Sequence, residues 1–184
     1  MSFHLLVASA TPILWQYGLK EYQKDRLVLF LDPNRDPLGG GYHLLQSKIA
    51  IGSGGLFGTG LLQGKLTNLQ FIPEQHTDFI FSALGEELGF LGCIIVLFLF
   101  FFLIKKLINI AENARSDFES LIVIGIAATF LFQIIINLFM TIGLGPVTGI
   151  PLPFMSYGRT SLVINFISIG FVLSIVKRSR SLRS

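Results

Sequence analysis

The chain has 184 residues, 52% of them hydrophobic and 14% charged, with a mean hydropathy of +0.68. A soluble domain carries about 25% charged residues, so this composition excludes an ordinary water-soluble fold and indicates an integral membrane protein. The net charge of +3 does not signal nucleic-acid binding, because the basic residues sit beside apolar segments, where membrane topology places them. The 18 phenylalanines suit lipid-facing helices, and the length allows about five crossings of roughly 20 residues each. The single cysteine, Cys93, lies inside an apolar run and allows no intrachain disulfide.

In chain order, residues 3–17 are apolar, contain Pro12 and predict a short first span. Ala8-Ser9-Ala10 imitates a signal-peptidase site, but no basic region precedes it and the apolar stretch is too short for a signal peptide. Lys20, Lys24 and Arg26 followed by Leu27-Val28-Leu29-Phe30-Leu31 predict a helix lying on the membrane surface, its cations towards head groups. Pro33 and Pro37 then break the chain.

Residues 42–62 are apolar enough to enter a bilayer but carry Lys48 and glycines at 52, 54, 55, 58 and 60. This pattern predicts a glycine-broken span lining a cavity, since irregular backbone is tolerated at membrane depth only where protein or water covers it. It holds neither a phosphate-loop nor a dinucleotide fingerprint.

A long polar loop, 63–78, precedes the strongest span, 79–104, which Lys105-Lys106 close. A polar connection with Glu112, Arg115, Asp117 and Glu119 leads to a span at 121–142, where Gln133 and Asn137 fall on one helical face. A Gly/Pro-rich loop, 143–160, the last span, 161–176, and a basic tail, 177–184, complete the chain. The expected fold is an all-α polytopic transmembrane bundle of about five spans, forming a single membrane domain over 1–184.

With five crossings, the basic segments 20–35 and 105–115 and the tail share one side, which the excess of Lys and Arg makes cytoplasmic. Loops 63–78 and 143–160, with only Lys65 and Arg159, then face outward in a multi-pass plasma-membrane protein. A start outside the cell with no basic residue before Lys20 suits the second half of a longer bundle.

Several polar residues have both a structural and a chemical reading. Asp78, at the head of the apolar run, is either a helix N-cap or a functional carboxylate. His76 stands without a second His or Cys nearby, which argues against zinc. Glu86 and Glu87 fall about two turns into a span, where acids face a cavity or a partner. Lys48 either pairs with one of them or receives a phosphate. Gln133 and Asn137 read more simply as interhelical hydrogen-bonding residues than as ligands.

Three stretches carry a family resemblance. They are Asp32-Pro33 with Asp36-Pro37-Leu38-Gly39 and the run Gly41 to Gly55; Phe71 to Phe81 with Gly85-Glu86-Glu87-Leu88-Gly89; and Pro151 to Gly158. Their order and spacing resemble the SEDS family (shape, elongation, division and sporulation) over nearly the whole chain. The stretch Gln46 to Gly55 is more similar to the elongation branch, RodA, than to the division branch, FtsW.

The resemblance implies the second half of a ten-span peptidoglycan glycosyltransferase that polymerises lipid II into glycan strands for elongation and cell shape, working with a class B penicillin-binding protein. It makes Asp78 the essential aspartate. An inverting transfer needs a base near the acceptor hydroxyl, and the candidate is Asp78. The departing lipid pyrophosphate needs positive charge, from Lys48, Lys65, Arg159 or a divalent cation such as Mg or Mn. Glu74, His76, Glu86 and Ser156 are the remaining candidate substrate-binding residues. One departure is Arg159 where the family usually has a second glycine after the Ser-Tyr pair; it either disturbs the turn or adds a phosphate contact. The competing functions are a lipid-precursor transporter and a truncated, non-catalytic partner of a penicillin-binding protein.

Overall fold

The computed structural model describes residues 20–32, 35–36, 39–64 and 77–180. The expected span at 3–17 and most of the loop 63–78 lie outside the described residues. Five helices follow in order: α1 (Glu21–Leu31), α2 (Gly40–Ser53), α3 (Ile80–Glu112), α4 (Asp117–Ile142) and α5 (Arg159–Arg180). Among the described residues there is no strand, as expected of an all-α bundle.

Three helices, α3, α4 and α5, are long and apolar enough to cross a membrane. They are the spans expected at 79–104, 121–142 and 161–176, each longer than its apolar run. The helix expected to end at Lys105-Lys106 continues to Glu112, because Leu107 and Ala111 pack against Val123 and Ala127 of α4 in a buried cluster. Ser116 caps α4 by accepting a hydrogen bond from the Glu119 N–H at 3.3 Å, and Asp117 and Glu119 in the first turn favour the positive end of its dipole. The other end of α4 closes on Gly143, whose φ of +76° suits glycine. Phe90, Phe98, Phe101, Phe132 and Phe166 are exposed, as lipid-facing side chains are.

The expected span at 42–62 takes a different form. α2 has 14 residues, roughly 21 Å of helix, too short for a hydrocarbon core of about 30 Å. It stops at Gly54, and residues 54–64 continue without a helix. Beside them α3 is kinked at Gly89 (φ +66°, ψ −165°). In an unbroken helix the N–H groups of Phe90 and Leu91 would bond the carbonyls of Glu86 and Glu87. Here Phe90 N–H donates to Gly55 O at 2.9 Å and Leu91 N–H to Leu56 O at 3.1 Å. The freed carbonyls accept from Thr59 N–H and Gly60 N–H, both at 3.0 Å, and the Thr59 hydroxyl adds a bond to Glu86 O at 3.1 Å. Both breaks therefore satisfy each other's backbone groups, which makes irregular backbone tolerable at this depth.

Gly89 lies about 13 Å along α3 from Ile80, near mid-bilayer depth. α2 starts at the end of the bundle that holds Asp78, since Ser47 touches Ser82 and Lys48 lies over Gly143. It descends to the kink, and the chain is back beside that same end by residue 77. Segment 42–62 is thus re-entrant rather than crossing. α1 consequently sits on the Asp78 end, where Arg26 Nη1 donates to Thr148 O at 2.6 Å. The basic segment 20–35 does not share an end with 105–115 and the start of the tail.

The kink requires glycine twice. Gly58 has φ +81°, and a Cβ there would run into the Glu87 carbonyl; a Cβ on Gly89 would meet Gly58 N and Leu56 O. Gly89→Ala is expected to destabilise the protein by about 1–3 kcal/mol from backbone strain alone. Gly125→Ala, on open helix surface with nothing within 4 Å, is expected to be neutral or to stabilise by up to about 1 kcal/mol. Equilibrium unfolding in detergent distinguishes them.

Candidate functional site

The site grows from three buried polar pins at one end of the bundle. Ser47 of α2 and Ser82 of α3 share a hydrogen bond at 2.5 Å, and Ser47 also donates to Thr141 O of α4 at 2.7 Å. Asn137 of α4 is fully buried, and its Nδ2 donates to Asp78 O at 2.9 Å and to Ile150 O at 2.8 Å. One amide thus fastens the turn bearing Asp78 to the Gly/Pro-rich loop. Leu152 N–H donates to Ser156 Oγ at 2.7 Å, and Phe154, at φ +62°, is clasped between the rings of Phe130 and Phe166 at 5.4 and 5.8 Å. The loop is a rigid wall rather than a slack connection.

Asp78 is half-buried in a turn over 77–79. The N-cap position of α3 belongs to Phe79, so the simple capping reading of Asp78 does not describe it. A methyl group at Gly149 would sit 3.3 Å from Asp78 Oδ2 and 4.0 Å from Arg26 Nη1. The carboxylate and the guanidinium therefore border the same point above the loop, and among the described residues no other side chain comes within 4 Å of it.

The other candidates divide. Lys48 is exposed, its side chain running along Gly143 at the C-terminal end of α4, where a cation complements the carbonyl end of the helix. Ser156 is 3% exposed, with its hydroxyl engaged inside the loop. Arg159 is exposed at the first position of α5 and leaves the turn before it intact, with Ser161 Oγ bonded to Gly158 O at 3.0 Å. Glu86 is 1% exposed, two turns into α3 beside the kink. Glu74, His76 and Lys65 lie outside the described residues. Among the described residues no group of three or more His, Cys, Asp or Glu side chains comes together. Among the described residues, Arg26 is the cation that borders the same point as the Asp78 carboxylate.

A family model described as a cell cycle protein of the FtsW/RodA/SpoVE type matches residues 1–181. The chain belongs to this family. The SEDS resemblance carried by its three motifs is therefore correct. It is 46% identical to the peptidoglycan glycosyltransferase MrdB of Escherichia coli K12 over 171 residues, 93% of this chain and 46% of MrdB. It is 46% identical to the peptidoglycan glycosyltransferase RodA of Treponema pallidum over 87% of this chain and 37% of RodA. With stage V sporulation protein E of Bacillus subtilis the identity is 43%, covering 86% of this chain and 43% of that protein. Among solved structures, a peptidoglycan synthase complex that coordinates polymerisation and crosslinking matches with a TM-score of 0.74 at 32% identity, covering 96% of this chain and 48% of the other. The rod shape determining protein RodA of Thermus thermophilus matches with a TM-score of 0.54 at 28% identity, covering 91% and 58%. The chain spans about half the length of the curated relatives it matches, as the reading of a half bundle expects.

Arg26 is the residue that sequence reasoning missed. The available signal was the glycine cluster at 54–60: a helix stopping there turns back and returns α1 to the Asp78 end. Asn137→Ala would orphan the Asp78 and Ile150 carbonyls, at a cost of about 1–3 kcal/mol. The expected readout is a lower unfolding midpoint with faster amide exchange at Thr77–Phe79, whereas Gln133→Ala changes neither.

Proposed function

We propose that this chain forms the catalytic half of a peptidoglycan glycosyltransferase of the elongation type, with Asp78 as general base. The observation that carries the reading is the carboxylate of Asp78 and the guanidinium of Arg26 bordering one point beside the hydrogen-bonded loop. The substrate is lipid II. A sugar hydroxyl of one lipid-linked disaccharide attacks the anomeric carbon of another. Asp78 takes the hydroxyl proton as the new C–O bond forms, and the bond to the lipid pyrophosphate breaks with its electron pair leaving on oxygen. Arg26 neutralises that leaving charge, with Arg159 as a second cation at the same end.

The orientation follows the same logic. The ends of α3 and α5 and the connection between α3 and α4 carry Lys105, Lys106, Arg115, Lys177 and Arg178, while the loop 143–158 has no Lys or Arg. Long loops translocate largely regardless of charge, so the basic α1 does not alter the count. The Asp78 end is outward, facing lipid-linked precursor in the outer leaflet of the plasma membrane, and the C-terminus is cytoplasmic. A class B penicillin-binding protein is the partner that cross-links the product. A lipid-precursor transporter is the second reading, favoured by the paired broken helices, which such proteins also use.

The test is a chimaera in which this chain replaces the matching half of E. coli MrdB, reconstituted with purified lipid II. Polymer is expected, abolished in Asp78→Asn and slowed about 100-fold in Arg26→Gln. Lys24→Gln, which loses only an exposed pair with Glu21, is expected to stay within about twofold of wild type. Vectorial lipid movement without polymer would support the transporter reading.

A further inference from the structure

At the end of the bundle opposite Asp78, a pocket of about 300 Å³ opens between the first turn of α4 and the last turns of α5. Ser116, Phe118, Glu119, Phe171, Ser174 and Arg178 contribute to its lining. We propose that this pocket binds one phospholipid with a zwitterionic, primary-amine head group, its ammonium on Glu119 and its phosphate on Arg178.

Three observations lead there. Among the described residues Glu119 Oε2 is buried with no hydrogen-bond partner, which is costly for a carboxylate oxygen unless something donates to it. Arg178 lines the same pocket but is not paired with Glu119, so the site presents a separate anion and cation of zero net charge. The depth is also right, since Glu119 opens one span-length helix and Arg178 closes another. Phe118 and Phe171, both exposed, offer an apolar path for an acyl chain away from the polar floor. Ser116 Oγ already accepts from Glu119 N–H, which leaves its own proton to donate to a phosphate oxygen.

The chemistry selects among lipids. A phosphatidylglycerol head group brings only negative charge, which Glu119 repels, and its glycerol hydroxyls offer Oε2 only neutral donors, weaker than a charge-assisted one. A choline head group carries the positive charge but no N–H, so Oε2 stays unsatisfied. A primary ammonium supplies three donors and satisfies it, a charge-assisted bond that corresponds to about a tenfold preference.

The experiment is native mass spectrometry of the 184-residue chain in detergent with equimolar dioleoyl phosphatidylethanolamine, phosphatidylcholine and phosphatidylglycerol. Retention of the ethanolamine lipid about tenfold above the choline lipid is expected. Glu119→Gln should bring that ratio close to one, and Arg178→Met should weaken both lipids while keeping the ratio. A second measurement needs no variant: ethanolamine lipids bearing one, two and three N-methyl groups should be retained progressively less. Equal retention across that series, preference for phosphatidylglycerol, or selectivity unchanged in a helical Glu119→Gln protein would each overturn the proposal.

Discussion

Two hydrogen bonds are missing from the helix that follows Asp78, and the position of everything at that end of the bundle depends on how they are replaced. The kink at Gly89 releases two N–H groups and two carbonyls near mid-bilayer depth. Left open in hydrocarbon, each would cost several kcal/mol. The segment 55–60 occupies the gap and pairs with all four. That exchange anchors the inner end of α2 at the kink, so α2 descends, and Asp78 lies again at the end from which α2 started. It explains why α1 and Asp78 are neighbours although 45 residues of sequence, largely apolar around α2, lie between Asp32 and Asp78.

The same constraint determines what the site can do. α2 is pinned to α3 and α4 by Ser47, and α4 is pinned by Asn137 to the turn of Asp78 and to the loop at Ile150. These bonds hold the turn of Asp78 from behind, through its backbone carbonyl. Arg26 is brought over the loop by its bond to Thr148 O. A carboxylate and a guanidinium on separate supports, the turn before α3 and the helix α1, suit the proposed transfer, in which one group takes a proton and the other meets developing negative charge.

Much of this was legible in the sequence. The three long apolar runs and the break in segment 42–62 were legible, because hydropathy and glycine content report them directly, whereas the hydrogen bonds that hold the Gly/Pro-rich loop were not. The family motifs carried Asp78. The direction of the chain after the break was not legible. A re-entrant helix and a crossing one have the same hydropathy, and the decisive hydrogen bonds join residues about 30 positions apart. Assuming a crossing placed α1 on the wrong end, which hid Arg26 and made Lys48, Lys65 and Arg159 the only visible cations. Ser156 drew notice as a motif hydroxyl, yet its bond to Leu152 N–H is local loop architecture that composition does not reveal.

Re-entry of segment 42–62 is the claim on which the shared placement of Asp78 and Arg26 rests, and sidedness tests it directly. In a Cys93→Ser background, single cysteines at Lys24→Cys, Leu144→Cys and Asn113→Cys can be labelled in intact cells with a membrane-impermeant maleimide. The account predicts that the first two react together from one face and that Asn113→Cys reacts only from the other. Labelling of Lys24→Cys together with Asn113→Cys, and apart from Leu144→Cys, would contradict it.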